Sequence, residues 1–232
     1  MAAGQQFGQR VALVAGGTGL TGAALLQLML RRHDYARIHA VTRRPLPLDH
    51  ARLANHVLKF EELGSRLAGV RCTDAFCCIG AAQGPQATAA DLRHVDLELV
   101  LAFARAAQLA GATRLVVVTT AFADRASPRP FQRAKGELEV ALREQRFGTL
   151  DILQPGSVLG VRNWTTAAEY LRMAFLPLLN PLRVGRLEPG RAITGADLAA
   201  AMLGAARSQR RGVYCYSGTI LRDLTAVGHR ST

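Results

Sequence analysis

The chain has 232 residues, 49% of them apolar and 20% charged, which is enough for one globular domain with a substantial core. Its net charge of +12 suggests nucleic-acid binding, but the arginines are spread along the whole chain with little aromatic interleaving. The charge therefore favours a basic cleft for a phosphorylated ligand over sequence-directed nucleic-acid binding.

The sequence also argues against several other classes of protein. No apolar run precedes the first predicted strand, and apolar helical stretches stop well short of the ~18 residues of a membrane span. We therefore expect a cytoplasmic protein without a membrane span. The four cysteines and six histidines lack metal-ligand spacing, so no metal site is predicted. Adjacent Cys77 and Cys78 are expected to pack on opposite faces of a strand.

Short apolar runs alternate with helical patterns along the first two thirds of the chain. Strands are predicted at residues 10–15, 38–42, 56–60, 75–79, 114–119 and 150–153, and helices at 20–32, 61–67, 89–110 and 131–145. Parallel neighbours need crossover connections, so this alternation predicts an α/β fold with a Rossmann-type, doubly wound parallel sheet.

The pattern loosens after Gly160. Helices are predicted at about 164–179 and 194–207, and a strand at 212–216. We expect residues 1–232 to form a single domain, with a core at about 10–160 and a small C-terminal, substrate-side lobe at about 161–232.

A glycine-rich turn joins the first predicted strand to the first helix. Its three spaced glycines permit a tight bend, a close approach of backbone to a pyrophosphate, and close packing of helix on strand. The context is the first βα unit of an alternating chain, as the dinucleotide motif requires. We predict that the turn holds a dinucleotide through Gly16, Gly17, Thr18, Gly19, Leu20, Thr21 and Gly22.

The end of the second strand bears on the choice of dinucleotide. Arg43 and Arg44 follow it, and no acid occurs until Asp49. An acid there would bind the free ribose 2′-hydroxyl of NAD(H), whereas arginine accommodates the 2′-phosphate of NADP(H). The sequence therefore favours NADP(H), with NAD(H) as the alternative.

An ordered set of motifs resembles the atypical short-chain dehydrogenases/reductases, in particular the Tat-interacting-protein group. The similarity covers about residues 10–160. The set comprises the glycine turn, the Arg43-Arg44 pair, Phe76-Cys-Cys-Ile-Gly80, Val95-Asp96, Thr119-Thr120, Lys135-Gly-Glu-Leu-Glu and Gln154-Pro-Gly156.

The resemblance implies an active-site lysine at Lys135, which binds the nicotinamide ribose, and a hydroxyl from Thr120 or, as the second choice, Thr119. Members of this superfamily carry a tyrosine four residues before the lysine, on the same helical face. Phe131 stands there instead and has no proton to give. The resemblance also places Phe60, Gly80 and Pro155 among the cofactor contacts.

Two further positions depart from the family pattern. Gln154 occupies a site where this group commonly has arginine, and Lys59 stands where relatives often have an acid near the adenine. The cofactor side is thus largely retained, while the substrate side diverges.

Two functions fit these residues. The first is an NADP(H)-dependent oxidoreductase acting on an unknown carbonyl or alcohol, with the proton supplied by Thr120, water or Tyr170 on the predicted C-terminal helix. The second is a catalytically silent NADP(H)-binding protein that regulates a protein partner. A homodimer is compatible with either function.

Overall fold

The computed structural model describes residues 10–81, 88–160 and 189–230. Its strands are β1 Val11–Ala15, β2 Arg37–Thr42, β3 Leu53–Val57, β4 Asp74–Cys77, β5 Arg114–Val118, β6 Thr149–Gln154, β7 Val158–Leu159, β8 Ile193–Thr194 and β9 Gly212–Ser217. Its helices are α1 Leu20–Arg31, α2 Leu63–Arg66, α3 Ala89–Arg93, α4 Leu99–Leu109, α5 Pro130–Glu144, α6 Gly195–Arg207 and α7 Gly218–His229.

Seven of the strands form one parallel sheet in the order β3-β2-β1-β4-β5-β6-β9. The order reverses between β1 and β4, so the crevice at the carboxyl ends of these two strands is where a doubly wound fold binds its ligand. This sheet confirms the predicted Rossmann-type α/β fold. A separate two-stranded parallel pair joins β7 to β8.

The helices cover both faces of the sheet, and strand residues alternate between two cores. Leu13 faces the core that includes α4 and α5, whereas Val14 faces the core that includes α1 and α6. Cys77 and Cys78 also divide between these two faces, as predicted. All four cysteines are free.

The sheet includes residues on both sides of residue 160. Strand β9 pairs with β6 along its whole length, and α6 packs against α1. Helices α6 and α7 approach each other closely, since a Cβ on Gly204 or Gly228 would collide with the backbone of the other helix. The predicted helix at 164–179 and Tyr170 lie outside the described residues.

Two local predictions differ from the structure, and one helix was not predicted. Strand β3 spans Leu53–Val57 rather than 56–60, because buried Leu58 and Phe60 belong to the following loop and a 3-10 turn at Phe60–Glu62. The single helix expected at 89–110 is interrupted by a π-helical turn at His94–Glu98. Helix α7, with Leu221 buried on its inner face, had no predicted counterpart.

A basic groove of about 480 Å³ opens at the amino ends of β1, β4, β5 and β6, opposite the ligand crevice. Its inner arginines are already paired within the protein. Arg10 binds Asp74 at 2.8 Å and the Ala206 carbonyl at 2.9 Å, and Arg114 donates to the Ala205 carbonyl at 2.7 Å. These bonds hold the carboxyl end of α6 against the sheet. Arg10 and Arg114, which contribute to the net positive charge, therefore stabilise the fold.

Candidate functional site

The glycine turn shapes the crevice floor. Gly16 has φ +82°, and a Cβ there would lie 2.6 Å from the carbonyl carbon of Cys78, so the bend and the contact with the end of β4 both require glycine. A Cβ on Gly22 would overlap the Gly16 carbonyl. Helix α1 can therefore start directly behind β1.

The amino end of α1 is open to a ligand. Gly19 is its N-cap, with no side-chain cap and no acid in the first turn. The Gly19 N–H donates to the Gly16 carbonyl at 3.0 Å, while the next N–H groups, in the first turn, have no carbonyl acceptor within the helix and lie at its positive end. This arrangement fits the pyrophosphate of a dinucleotide.

Three cations lie at the carboxyl ends of β2 and β3. Arg43 and Arg44 are exposed directly after β2. The Leu58 N–H donates to the Thr42 carbonyl at 3.0 Å. This hydrogen bond brings the next residue, the exposed Lys59, near the carboxyl end of β2. Phe60 is buried in the core immediately after it.

A buried ion pair lies at the end of β4. Lys135 Nζ is 2.8 Å from Asp96 Oδ1, and the two side chains are 3% and 0% exposed. The Ala81 N–H donates to the same oxygen at 3.3 Å, and Gly80 lies next to it, since a Cβ on Gly80 would be 3.7 Å from that oxygen. Asp96 Oδ2 is buried with no hydrogen-bond partner in the described part of the chain. Asp96 lies in the π-helical turn, a feature often found at functional sites.

The two threonines after β5 have different environments. The Thr119 hydroxyl donates to Glu139 Oε1 at 2.7 Å, and both side chains are buried. Gln154 Nε2 donates to both oxygens of that carboxylate, at 2.8 and 3.0 Å. The Thr119 hydroxyl is thus part of a buried hydrogen-bond network. Thr120 is half-buried, and within the described residues its hydroxyl has no hydrogen-bond partner.

The loop after Thr120 packs directly on helix α5. A Cβ on Gly136 would lie 2.7 Å from the Cα of Asp124, so this glycine permits contact between the two backbones. The Asp124 N–H donates to the Gln132 carbonyl at 3.1 Å, and the Ala121 N–H donates to the Pro155 carbonyl at 2.7 Å. The loop therefore joins the end of β5 to both Pro155 and the first turns of α5.

Phe131 is the second residue of α5, one turn before Lys135, and it is half-buried. Its side chain is an aromatic ring without a hydroxyl group, placed one helical turn before the lysine. Burial raises the pKa of the Cys77 thiol to about 11, so this thiol keeps its proton at neutral pH. In the described ranges no group of three or more His, Cys, Asp or Glu side chains could hold a metal ion.

Sequence reasoning missed three parts of this site. In the sequence Asp96 stands out only as part of a family motif, and no local pattern predicts its pairing with Lys135. Gly136 and Glu139 belong to the motif that begins at Lys135, but the sequence does not predict their contacts with the loop and with Thr119. A buried acid in an apolar helical stretch was the available signal for Asp96, since a charge there needs a partner.

The fold and the residues at the carboxyl ends of its strands together define a Rossmann-type protein of the short-chain dehydrogenase/reductase kind. Comparisons with known sequences agree. The mitochondrial protein fmp52 of Aspergillus niger is 30% identical over 177 residues, which cover 73% of this chain and 76% of that protein. Protein HTATIP2 of Rattus norvegicus is 28% identical over 166 residues, covering 70% of this chain and 68% of that protein. The chain belongs to the family of these proteins, within the atypical short-chain dehydrogenase/reductase superfamily. No protein-family model matches it.

Solved structures share the fold at low identity. A UDP-Glc/GlcNAc 4-epimerase from Campylobacter jejuni has a TM-score of 0.66 and 13% identity, covering 94% of this chain and 82% of that one. The Bordetella bronchiseptica enzyme WbmG, solved in complex with NAD, has a TM-score of 0.64 and 17% identity, covering 97% and 78%.

Proposed function

We propose that the protein is an NADP(H)-dependent oxidoreductase that acts on the carbonyl or alcohol group of a small molecule still to be identified. The observation that carries this proposal is the buried Lys135, held by Asp96 at the carboxyl edge of the sheet. A lysine is costly to bury, and this one lies on the helix that packs against the loop after Thr120.

The residues present fit a dinucleotide. The open amino end of α1 suits the pyrophosphate. WbmG, with the same fold, is known in complex with NAD. Arg43, Arg44 and Lys59 supply cations where a 2′-phosphate would lie, which supports NADP(H) over NAD(H). When bound, the nicotinamide supplies or accepts the hydride.

The side chains around the reacting group have separate tasks in this proposal. Lys135 donates hydrogen bonds to the nicotinamide ribose. Thr120, whose hydroxyl is uncommitted in the described structure, holds the substrate oxygen, whereas Thr119 is engaged by Glu139. Because Phe131 has no hydroxyl, the proton comes from Thr120, from water, or from Tyr170.

Two measurements on the purified full-length chain test this proposal. Calorimetry should give a lower Kd for NADPH than for NADH. Incubation with NADPH and a panel of aldehydes and ketones should oxidise the cofactor at a rate that Lys135→Met reduces. Absence of binding to either dinucleotide would refute the proposal.

A catalytically silent NADP(H)-binding protein is the second candidate, and Phe131 is the observation that favours it. The site lacks the usual proton donor, and the charge of Lys135 is matched by Asp96. Tight NADPH binding without turnover of any carbonyl would support a regulatory protein that acts through a protein partner.

We propose a cytoplasmic location and a homodimeric assembly. Within the described residues no helix is long and apolar enough to cross a membrane. We expected a cytoplasmic protein, whereas the fmp52 relatives are named as mitochondrial. Fractionation of the native host would decide between these compartments, and light scattering would test the homodimer.

A further inference from the structure

The loop that follows Thr120 contains a strained residue. Phe122 has φ +60°, and among the described non-glycine residues only Phe122 and Arg146, at φ +55°, have a positive φ. A bulky side chain is rare in this left-handed region because its Cβ crowds the backbone. Such strain persists only where surrounding structure enforces it, and it concentrates at functional sites.

The surroundings of Phe122 do enforce this conformation. The Ala121 N–H donates to the Pro155 carbonyl at 2.7 Å, and the Ala123 N–H donates to the Thr120 carbonyl at 3.3 Å. The next residues of the loop lie against the backbone of α5 at Gly136. Both flanks of Phe122 are therefore fixed.

Burial of the ring does not offset this strain. Phe122 is 49% exposed and belongs to neither hydrophobic core formed by the described residues, although it is one of only eight phenylalanines. An aromatic ring left half in solvent on a rigid, strained loop is better explained by contact with a ligand than by stability.

We propose that Phe122 is a specificity-determining residue that contacts an apolar, preferably aromatic, group of the substrate. This inference rests on the proposed oxidoreductase function. Phe122 is two residues from Thr120, and its loop packs on the helix that carries Phe131. With phenyl rings at both positions, this side of the crevice suits an uncharged aryl or alkyl carbonyl rather than a carboxylate-bearing one.

The test uses Phe122→Gly and Phe122→Leu in the full chain. The probe is benzyl alcohol, titrated by saturation-transfer NMR into the NADP⁺ complex, with lactate as the charged probe. Loss of one aromatic contact should weaken benzyl alcohol binding about tenfold in Phe122→Gly and less in Phe122→Leu. Lactate should bind more weakly than benzyl alcohol to the wild type.

Unfolding temperature separates this role from a structural one. Phe122→Gly should leave the midpoint level or raise it, because glycine accepts φ +60° without strain. Arg146→Gly is the matched control: it relieves similar strain at the end of α5 and should leave benzyl alcohol binding unchanged.

Three results would overturn the inference: unaltered benzyl alcohol binding in Phe122→Gly, no binding to the wild-type NADP⁺ complex, or a lowered unfolding midpoint in Phe122→Gly. NADP⁺ affinity is measured by calorimetry on every variant. If the wild type does not bind NADP⁺, both the proposed oxidoreductase function and the role of Phe122 are refuted. If the wild type binds NADP⁺ and one of the three results above is found, only the role of Phe122 is refuted.

Discussion

Lys135 Nζ lies 2.8 Å from Asp96 Oδ1, in a pair whose side chains are almost wholly removed from solvent. Helix α5 supplies the lysine and the π-helical turn before α4 supplies the acid. In a buried pair, removal of one partner leaves an uncompensated charge, which costs more than removal of both. The pair therefore ties the candidate site to the stability of the fold.

A double-mutant cycle measures this coupling. Asp96→Asn should lower the free energy of unfolding by about 3–5 kcal/mol, as should Lys135→Met, because each leaves one buried charge unpaired. The double variant should lose clearly less than the sum of the two. Urea unfolding at neutral pH gives the values.

The exposed pair Arg93 and Glu137 provides the control for that cycle, since its side chains are 54% and 32% exposed. Glu137→Gln should change the free energy of unfolding by less than about 1 kcal/mol. Additive effects of the Asp96 and Lys135 substitutions would show that the two residues are not coupled.

Arg43→Ala should weaken NADPH binding much more than NADH binding. A charge-assisted contact to a 2′-phosphate contributes about 1.5–3 kcal/mol, or roughly ten- to a hundredfold in affinity. Calorimetry with both cofactors measures the difference. Exposed Arg71, before the amino end of β4, is the control, and Arg71→Ala should leave both affinities unchanged. An equal loss for the two cofactors would mean that Arg43 does not read the phosphate.

Gly136→Ala should separate the Thr120 loop from α5. The new Cβ would lie 2.7 Å from the Cα of Asp124, so loop or helix must shift, at a cost of about 1–3 kcal/mol. We expect a lower unfolding midpoint and a reduced rate of NADPH oxidation. Gly64→Ala in α2 is the control, because nothing lies within 4 Å of its Cβ position, and it should be neutral or slightly stabilising.

Two histidines on neighbouring strands should make stability depend on pH. His39 Nδ1 lies 2.9 Å from His56 Nε2. Burial lowers the pKa of His39, with further lowering by His56 and Arg37, and burial together with Arg37 and Arg66 lowers the pKa of His56. Below the ordinary histidine pKa of about 6.5 the unfolded chain then binds more protons than the folded one.

Stability should therefore fall as pH decreases from about 6.5 through the lowered pKa values. Urea unfolding at pH 7.5 and pH 5.5 should show a smaller loss in His56→Gln than in the wild type. His33→Gln, which changes an exposed histidine, should lose as much as the wild type. An undiminished loss in His56→Gln would exclude this pair as the cause.

The parts of the fold that the sequence predicted are those with local signals. A short apolar run predicts strand β1, and the glycine spacing predicts the turn after it. Both signals come from residues that are neighbours in the sequence. The place of β3 was predicted wrongly, since Leu58 and Phe60 are buried from a loop and imitate strand residues.

The parts that escaped prediction depend on contacts between distant residues. Asp96 and Lys135 are 39 positions apart, and their pairing requires a π-helical turn that no local pattern indicates. The left-handed φ of Phe122 is likewise imposed by Pro155 and α5, against the preference of its own side chain. Local propensity fails here at the candidate functional site, where strain and buried charge are concentrated.

Phe131→Tyr tests the chemistry of the site most directly. The substitution adds one hydroxyl on the face of α5 that carries Lys135, one helical turn away, and changes little else. A positioned acid–base group contributes about 10²–10⁴-fold in rate, so NADPH oxidation with an accepted carbonyl should rise by about a hundredfold or more. Stopped-flow loss of NADPH absorbance at several pH values measures the rate.

The pH profile distinguishes a working phenol from a repacked ring. Phe131→Tyr should show a rate that depends on a phenol with a lowered pKa, and the combined Phe131→Tyr and Lys135→Met variant should lose that dependence. Phe131→Leu, which has no phenol, should gain no activity. If the wild type is already active and the tyrosine adds nothing, the proton enters from another group, and Tyr170→Phe becomes the decisive variant. If both proteins bind NADPH and neither reduces any carbonyl, the oxidoreductase proposal fails and the silent NADP(H)-binding function replaces it.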